Sequence, residues 1–169
     1  MVRLKPIIGF LPLFLFLALS GCYSFQGIAI AREIETYYVA QFDNISGNVV
    51  PTLAPNFTEK LKDKVRNESR LIYLDNQDAD VEFSGVISEF RVTSEAPQPG
   101  ESVAFNRLTI GIRVEYTNRA KEEESTTINS SFYAEYPSDT NLLDVQEELI
   151  ETITDQLVED VFTKAFTNW

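Results

Sequence analysis

Histidine is absent from this 169-residue chain, and cysteine occurs only once. These two residue types supply most protein zinc ligands, the Ser-His and Cys-His nucleophile pairs and the commonest general base. Their scarcity excludes those kinds of site and any disulfide within the chain. Carboxylate-pair catalysis remains open because acidic residues are plentiful, but the sequence has no glycine-rich phosphate loop. We therefore predict a protein that is not an enzyme and holds no metal.

Positive charge is also scarce. The chain has 14 basic and 26 acidic side chains, which give a formal net charge of −12. Proteins that bind nucleic acid need basic side chains to neutralise phosphates, so we predict no nucleic-acid partner. An anionic lipid surface also repels such a chain. Membrane attachment would therefore have to come from hydrophobic groups rather than from charge.

Only one long apolar run is present, and it lies near the N-terminus. Residues 6–19 are mostly apolar, Arg3 and Lys5 precede them, and residues 19–22 read Leu-Ser-Gly-Cys. A basic start, an apolar middle and small residues before a cleavage point are the three parts of a secretory signal. A membrane-spanning helix needs about 20 apolar residues, so a permanent transmembrane anchor fits this shorter run less well. An ordinary signal peptide would need no cysteine at the cut.

Residues 19–22 resemble the lipobox of bacterial lipoproteins. In that family the cysteine sulfur receives a diacylglycerol, the chain is cut before the cysteine, and the new amino group is acylated. The resemblance implies a signal peptide over residues 1–21 and lipidation at Cys22. The diacylglycerol and the N-linked acyl chain, palmitate among them, would be the only groups attached, and we predict no other cofactor. Removing residues 1–21 takes away Arg3 and Lys5 and no acidic residue, which changes the formal charge from −12 to −14. More than one acyl chain anchors a protein stably.

The rest of the chain divides into a short tether, residues 22–33, and one domain, residues 34–169. Apolar residues recur every four positions in two segments, which predicts amphipathic helices. Alternation of apolar and polar residues predicts strands. Two polar segments, a Pro/Gly-rich one at 96–100 and a charged one at 119–124, are interpreted as solvated ends of hairpins. The predicted helices cover residues 53–67 and 142–166, and the predicted strands cover residues 33–42, 71–74, 81–88, 108–117 and 126–136.

These elements predict an α+β two-layer sandwich. One face of each strand is apolar and the other polar, as expected for an antiparallel sheet that is covered on one side. Packing both helices on that one face buries both apolar stripes. We therefore expect a mostly antiparallel sheet of four to five strands with two helices on one face.

The order of these elements after a lipobox resembles the LptE family of lipopolysaccharide-assembly lipoproteins. Five segments carry the resemblance: the aromatic start after Gly21-Cys22, the first-strand segment Phe42-Asp43-Asn44, the helix segment around Phe57-Thr58-Glu59, the strand start Asn106-Arg107-Leu108, and the C-terminal Asp160-Val161-Phe162 with Trp169. Members of this family plug the lumen of a large β-barrel, LptD, and support its assembly and the passage of lipopolysaccharide to the cell surface. The resemblance therefore implies an outer-membrane lipoprotein that faces the periplasm and the barrel lumen.

Outer-membrane placement has one further support in the sequence. Many bacteria retain lipoproteins in the inner membrane through an aspartate after the lipidated cysteine, whereas Tyr23 occupies that position here. The alternative interpretation is a stand-alone periplasmic accessory lipoprotein of another lipid-transport or envelope system.

Candidate ligand contacts come from the chemistry of lipopolysaccharide, which carries phosphates. Arginine forms strong bidentate hydrogen bonds with phosphate, and four arginines lie on or beside the predicted sheet. Their alternative role is to balance neighbouring acids such as Glu89 and Glu115. No ligand-binding residue of the family can be transferred to a position in this chain. The candidates are Arg91, Arg107, Arg113 and Arg119.

Overall fold

A computed structural model of the chain describes residues 30–48, 50–95 and 104–167, which form a mixed sheet and two helices. The predicted signal peptide, Cys22, Tyr23, most of the tether and the turn at 96–100 lie outside the described residues. In chain order the elements are β1 (Thr36–Val39), β2 (Asp43–Asn44), α1 (Leu53–Glu68), β3 (Ile72–Tyr73), β4 (Val81–Glu95), β5 (Phe105–Asn118), β6 (Thr126–Pro137) and α2 (Leu142–Phe166). A short 3-10 turn, Glu122–Glu124, lies between β5 and β6.

The two-layer architecture is confirmed, but the sheet is mixed and its described part has six strands rather than four or five. The strand order is β3-β1-β4-β5-β6, and β2 also pairs with β4. β4, β5 and β6 are antiparallel, whereas β1 is parallel to both β3 and β4. Helix α1 connects β2 to β3 and carries the chain back to the end of the sheet at which β1 begins. β3 therefore runs in the same direction as β1.

The first predicted strand, residues 33–42, is divided into β1 and β2. Val39 pairs with Phe83 of β4, whereas Asp43 pairs with Val86, so the chain contains one more residue than its partner between these pairs. At this step Phe42 turns into the core, where it is 1% exposed. Its N–H donates to Thr58 Oγ1 of α1 at 3.1 Å instead of to the sheet.

Both predicted helical stripes are buried against the inner face of the sheet. In α1 the stripe is Leu53, Phe57, Leu61 and Val65, each at most 1% exposed. In α2 the stripe centres on Ile153, Leu157 and Val161, and its widening through Phe162 and Phe166 is also confirmed. Phe166 packs edge-on against Phe83 and Tyr116, with ring centroids 5.9 Å apart in both pairs. Among the described residues, neither helix is apolar enough over its length to cross a membrane.

The two helices run parallel and are joined by a repeated ion pair. Lys60 and Lys64 of α1 contact Asp155 and Glu159 of α2, respectively. In both pairs the two residues are 95 positions apart in the sequence. Moving one turn along α1 therefore corresponds to moving one turn in the same direction along α2. The N-terminal ends of both helices therefore lie at the same end of the domain. Asn141 caps α2 by accepting the N–H of Leu143 at 3.0 Å, while Thr52 occupies the N-cap position of α1 without a side-chain capping bond.

The charged segment at 119–124 forms the end of the β5–β6 hairpin, as predicted. Asn118 is fully buried and organises it: its Oδ1 accepts the N–H groups of Ala120 and Lys121, and its Nδ2 donates to Glu124. Lys121 also pairs with Glu33 at 3.4 Å. This hairpin end is therefore joined to the segment through which the chain enters the domain.

Candidate functional site

The four arginines predicted from the sequence lie on or beside the outer face of the sheet, which is the face opposite the helices. On β5 it is formed by Arg107, Thr109, Gly111, Arg113, Glu115 and Thr117, which alternate with buried apolar residues. The pairing register places Thr127, Asn129, Ser131, Tyr133 and Glu135 of β6 beside them. A regular period-two pattern keeps this surface polar over the whole length of the long strands.

Arg107 is held between two carboxylates. Its Nη1 lies 3.2 Å from Glu95 Oε1 on β4, and its Nη2 donates to Glu135 Oε1 on β6 at 2.7 Å. The guanidinium also lies over the ring of Tyr133, 4.2 Å from the centroid. The hydrogen bond to Glu135 raises the pKa of Arg107 above its ordinary value. Its charge and its donors are thus already engaged by the protein.

Arg119 has a structural role at the hairpin end. Its Nη2 pairs with Glu82 Oε2 at 2.5 Å, and its Nη1 donates to the carbonyl oxygen of Ala79 at 2.9 Å. The Glu82 side chain is only 12% exposed. The backbone N–H of Arg119 donates to the carbonyl of Asp80, so this residue fastens the end of β5 to the start of β4.

Arg91 pairs with Glu89 on its own strand, with its Nε 2.9 Å from Glu89 Oε1. Glu89 follows the irregularity in the β4–β5 register and lies over Gly111. A Cβ at Gly111 would stand 3.1 Å from Glu89 Cβ, so the glycine leaves the space that this carboxylate occupies. The predicted balancing of an arginine by Glu89 is therefore present.

Arg113 differs from the other three arginines. It lies on the exposed side of the central strand β5, and its Nε donates to Asn129 Oδ1 of β6 at 3.3 Å. Within the part of the chain that the structure describes, Arg113 forms no ion pair, and Glu115 does not balance it as the sequence suggested. Arg113 is thus the candidate whose charge remains available to a ligand.

The structure does not bring the four arginines together into one pocket. Arg107 and Arg113 are six residues apart on one strand, which corresponds to about 20 Å. Arg119 lies farther along at the hairpin end, and Arg91 lies on the neighbouring strand. The arrangement is a row of separate cations along a polar face.

The sequence profile of the family described as "LptE: Lipopolysaccharide-assembly" matches residues 34–165, most of the domain. The chain belongs to the LptE family. This match spans both helices and every described strand, so family membership rests on the whole domain and does not depend on the lipobox.

Solved structures show that this LptE-family fold recurs at very low sequence identity. A minor lipoprotein from Acinetobacter baumannii has 9% identity and a TM-score of 0.51 over 79% of this chain and 94% of its own. A hypothetical protein from Chlamydia trachomatis has 11% identity and a TM-score of 0.53 over 79% of this chain and 99% of its own. At such identities the likeness concerns the fold alone. No curated protein matches the chain.

Reasoning from the sequence missed most partners of the arginines, because they lie on other strands. Arg107 is directly opposite Glu135 in the β5–β6 register. Counting outward from the hairpin end at 119–124 would have found this pair. Glu82 could not be found by counting from the β4–β5 turn, because the β4–β5 register shifts between Ile87 and Glu89.

Proposed function

We propose that this LptE-family protein is the lipoprotein subunit of a lipopolysaccharide translocon in the outer membrane. In this role it plugs the lumen of an LptD-like β-barrel and assists its assembly. The observation that carries the proposal is the family match over residues 34–165. We further propose that the protein is not an enzyme and that its only prosthetic chemistry is the lipid on Cys22.

The outer face of the sheet supports a plug role. The interior of a large membrane barrel is polar, and something must fill it. The outer face of β5 and β6 is polar along both strands, and its charges are largely balanced in place, as at Arg107 and Arg119. Such a surface can lie against a polar wall without leaving many unpaired charges.

The entry point of the chain supports a defined orientation relative to the membrane. Ile30 and Ala31 pack against the core, and Arg70 donates to the carbonyl of Ala31 at 2.6 Å. The eight steps of the chain from Cys22 to Ile30 can span at most about 29 Å. A lipid on Cys22 would therefore keep the β5–β6 hairpin end close to the membrane surface.

Direct contact with lipopolysaccharide is the finer part of the proposal. Among the described residues no carboxylate competes with a phosphate for Arg113, whereas Arg91, Arg107 and Arg119 are each paired with a glutamate. We propose Arg113 as the phosphate contact and the other three arginines as structural ion pairs.

The test is an affinity purification of the tagged full-length protein from detergent-solubilised outer membranes, followed by mass spectrometry. A large β-barrel protein in stoichiometric amount is the expected result. Depletion of the protein should then cause lipopolysaccharide to accumulate inside the envelope. A purified protein without a barrel, and depletion without this accumulation, would favour the stand-alone accessory lipoprotein.

Attachment to the membrane needs its own experiment. Cys22→Ala should abolish labelling by a radioactive fatty acid and leave an uncleaved precursor, while Ser20→Ala, which keeps a small residue before the cut, should be labelled normally. Normal labelling of the Cys22→Ala variant would contradict the lipobox.

A further inference from the structure

The series of ion pairs that joins the two helices stops at Lys60. Each of these pairs joins a lysine of α1 to an acidic residue of α2 that lies 95 positions later in the sequence. One turn before Lys60, the same spacing places Asn56 opposite Glu151. Two turns before it, the spacing places Thr52 opposite Glu147. Helix α2 therefore continues the series with two more carboxylates, whereas the facing residues of α1 are uncharged.

A cavity lies between the helices at the point where the ion pairs stop. It has a volume of about 490 Å³, and all four residues of these two opposed positions line it. Val50 and Ile150 line it as well, and Ile150 is only 8% exposed, so part of its wall is apolar. Cavities of this size hold small molecules. A partner helix, with a diameter of about 10 Å, would not fit between two helices that are already joined by ion pairs.

The negative charge at this cavity is not balanced. Lys60 lies 4.0 Å from Glu151, but its ammonium forms its hydrogen bond with Asp155. Within the described part of the chain, Glu147 takes part in no ion pair. Glu147 also lies beyond the first turn of α2, where the helix dipole has little effect. These three carboxylates and one ammonium leave a formal net charge of −2.

The segments that build the cavity supply no further cation. Apart from Lys60, all its lining residues belong to residues 33–59 and 122–163, and neither range contains a lysine or an arginine. A second copy of the chain, with its net charge of −12, would bring more carboxylates. The cavity therefore requires a ligand that carries positive charge and does not come from this protein.

A linear diamine meets these requirements. Glu147 and Glu151 are one helical turn apart, about 6 Å along the axis, and two ammonium groups joined by four methylenes are separated by a similar distance. The methylenes can lie against Val50 and Ile150 while the ammonium groups reach the carboxylates, as the stems of lysine side chains do on apolar surfaces. We infer that the cavity between α1 and α2 is a binding site for a linear aliphatic diamine.

The position of the cavity leaves it open to a soluble ligand. Ile30, through which the chain enters the domain, lies beside Asn67 and Arg70 at the C-terminal end of α1. It also lies beside Phe166 at the C-terminal end of α2. The cavity is at the opposite end of both helices, so a membrane anchor that precedes Ile30 does not cover it. The inference does not depend on the proposed barrel partner.

The first experiment titrates the full-length protein with 1,4-diaminobutane and follows its backbone amides by NMR, in micelles of an uncharged detergent at low ionic strength. Shifts should concentrate at residues that line the cavity, such as Asn56, Glu147 and Glu151, and should saturate as a single site. Butylamine, which has one ammonium group, should bind at least tenfold more weakly. The inference would be overturned by equal affinity for butylamine, by the same shifts and affinity with Mg²⁺, or by the absence of saturable shifts at these residues.

Glutamine variants separate the cavity from the general negative charge of α2. Glu147→Gln and Glu151→Gln should each lower the affinity for 1,4-diaminobutane at least fivefold, because one ammonium group loses its partner. Glu148→Gln removes the same charge from an exposed neighbour that is not among the described residues lining the cavity, and should change the affinity less than twofold. Equal losses in all three variants would show that the helix as a whole attracts the diamine, and would overturn the inference.

Adding the missing cation tests the spacing itself. Asn56→Lys places a lysine one turn before Lys60 and opposite Glu151, and should lower the diamine affinity at least fivefold, because its ammonium replaces one of those of the ligand. Asn56→Gln keeps this position uncharged and should bind as the parent protein does. Asn56 is exposed, and equal melting temperatures of the two variants would verify that both are folded. Undiminished binding by the Asn56→Lys variant would contradict the proposed site.

Discussion

The two faces of β5 belong to one strand but face opposite surroundings. Leu108, Ile110 and Val114 on the inner face are fully buried against the helices, while Arg113 and Glu115 on the outer face are exposed. The inner face supplies hydrophobic stabilisation, and the outer face supplies charges that a partner or ligand can reach. Substitutions on the inner side should therefore act on folding, and those on the outer side should act on binding.

The largest expected effect comes from placing a charge in the inner layer. Leu157 is 1% exposed at the centre of α2. Leu157→Asp removes a buried side chain, which alone costs about 2–5 kcal/mol, and buries an unpaired carboxylate. Since small domains have only about 5–15 kcal/mol of total stability, we expect the cooperative thermal transition measured by circular dichroism to be lost. The neighbouring exposed variant Gln156→Asp is the control, and an unchanged melting temperature for Leu157→Asp would show that this stripe is not core.

A smaller substitution tests how closely the inner layer is packed. A Cβ added to Gly85 of β4 would lie 2.2 Å from the backbone carbonyl oxygen of Arg113 and 3.0 Å from the ring of Phe42. Because the first contact is with backbone, the two strands would have to move apart. We expect Gly85→Ala to lower the free energy of unfolding by about 3 kcal/mol in urea denaturation. Ser84→Ala, on the opposite face of the same strand, should change it by less than about 0.5 kcal/mol; equal effects would remove the distinction between the faces.

Asp80 tests the junction where the parallel and antiparallel parts of the sheet meet. Its Oδ2 accepts the N–H groups of Glu35 and Thr36, both at 2.9 Å, and the hydroxyl of Thr36 at 2.8 Å. The hydrogen bond from the backbone N–H of Glu35 is the main cause that lowers the pKa of Asp80 below the ordinary aspartate value of 3.8. A lowered folded-state pKa means that the ionised carboxylate stabilises the fold above pH 3.8 and that this stabilisation disappears as the pH falls through the folded-state value.

We expect Asp80→Asn to lower the stability at pH 7 by about 1–2 kcal/mol, as hydrogen bonds to a charged acceptor are lost. The difference from the parent protein should shrink as the pH falls below 3.8. Asp78→Asn, nearby and exposed, is the control. A stability difference that stays constant from pH 7 to pH 3 would show that the carboxylate charge is not responsible.

Periodicity in the sequence was sufficient for the layers but not for the connections between strands. Both helices and the inner and outer sides of β5 follow from local repeats, which the structure confirms. The parallel pairing of β1 does not follow from them, because it depends on contacts such as that between Phe42 N–H and Thr58 Oγ1, sixteen residues apart. The arginine partners were missed for the same reason: Glu95 and Glu135 approach Arg107 from two other strands.

The smallest effect on stability, and the sharpest on binding, is expected at Arg113. This side chain is exposed and forms no ion pair with any described residue, so Arg113→Ala should change the free energy of unfolding by less than about 0.5 kcal/mol. If it contacts lipopolysaccharide phosphate, the affinity of Arg113→Ala for lipopolysaccharide should fall about tenfold, which corresponds to ~1.4 kcal/mol.

Arg107→Ala is the matched comparison, since Glu95 and Glu135 already pair with the Arg107 guanidinium. This variant should cost at most about 1 kcal/mol of stability and leave the affinity within twofold. Binding of intact and enzymatically dephosphorylated lipopolysaccharide to both variants measures this. If only Arg107→Ala lost affinity, the lipopolysaccharide contact would be Arg107 and not Arg113. If Arg113→Ala weakened binding of the dephosphorylated lipid as well, Arg113 would recognise a part of the lipid other than phosphate.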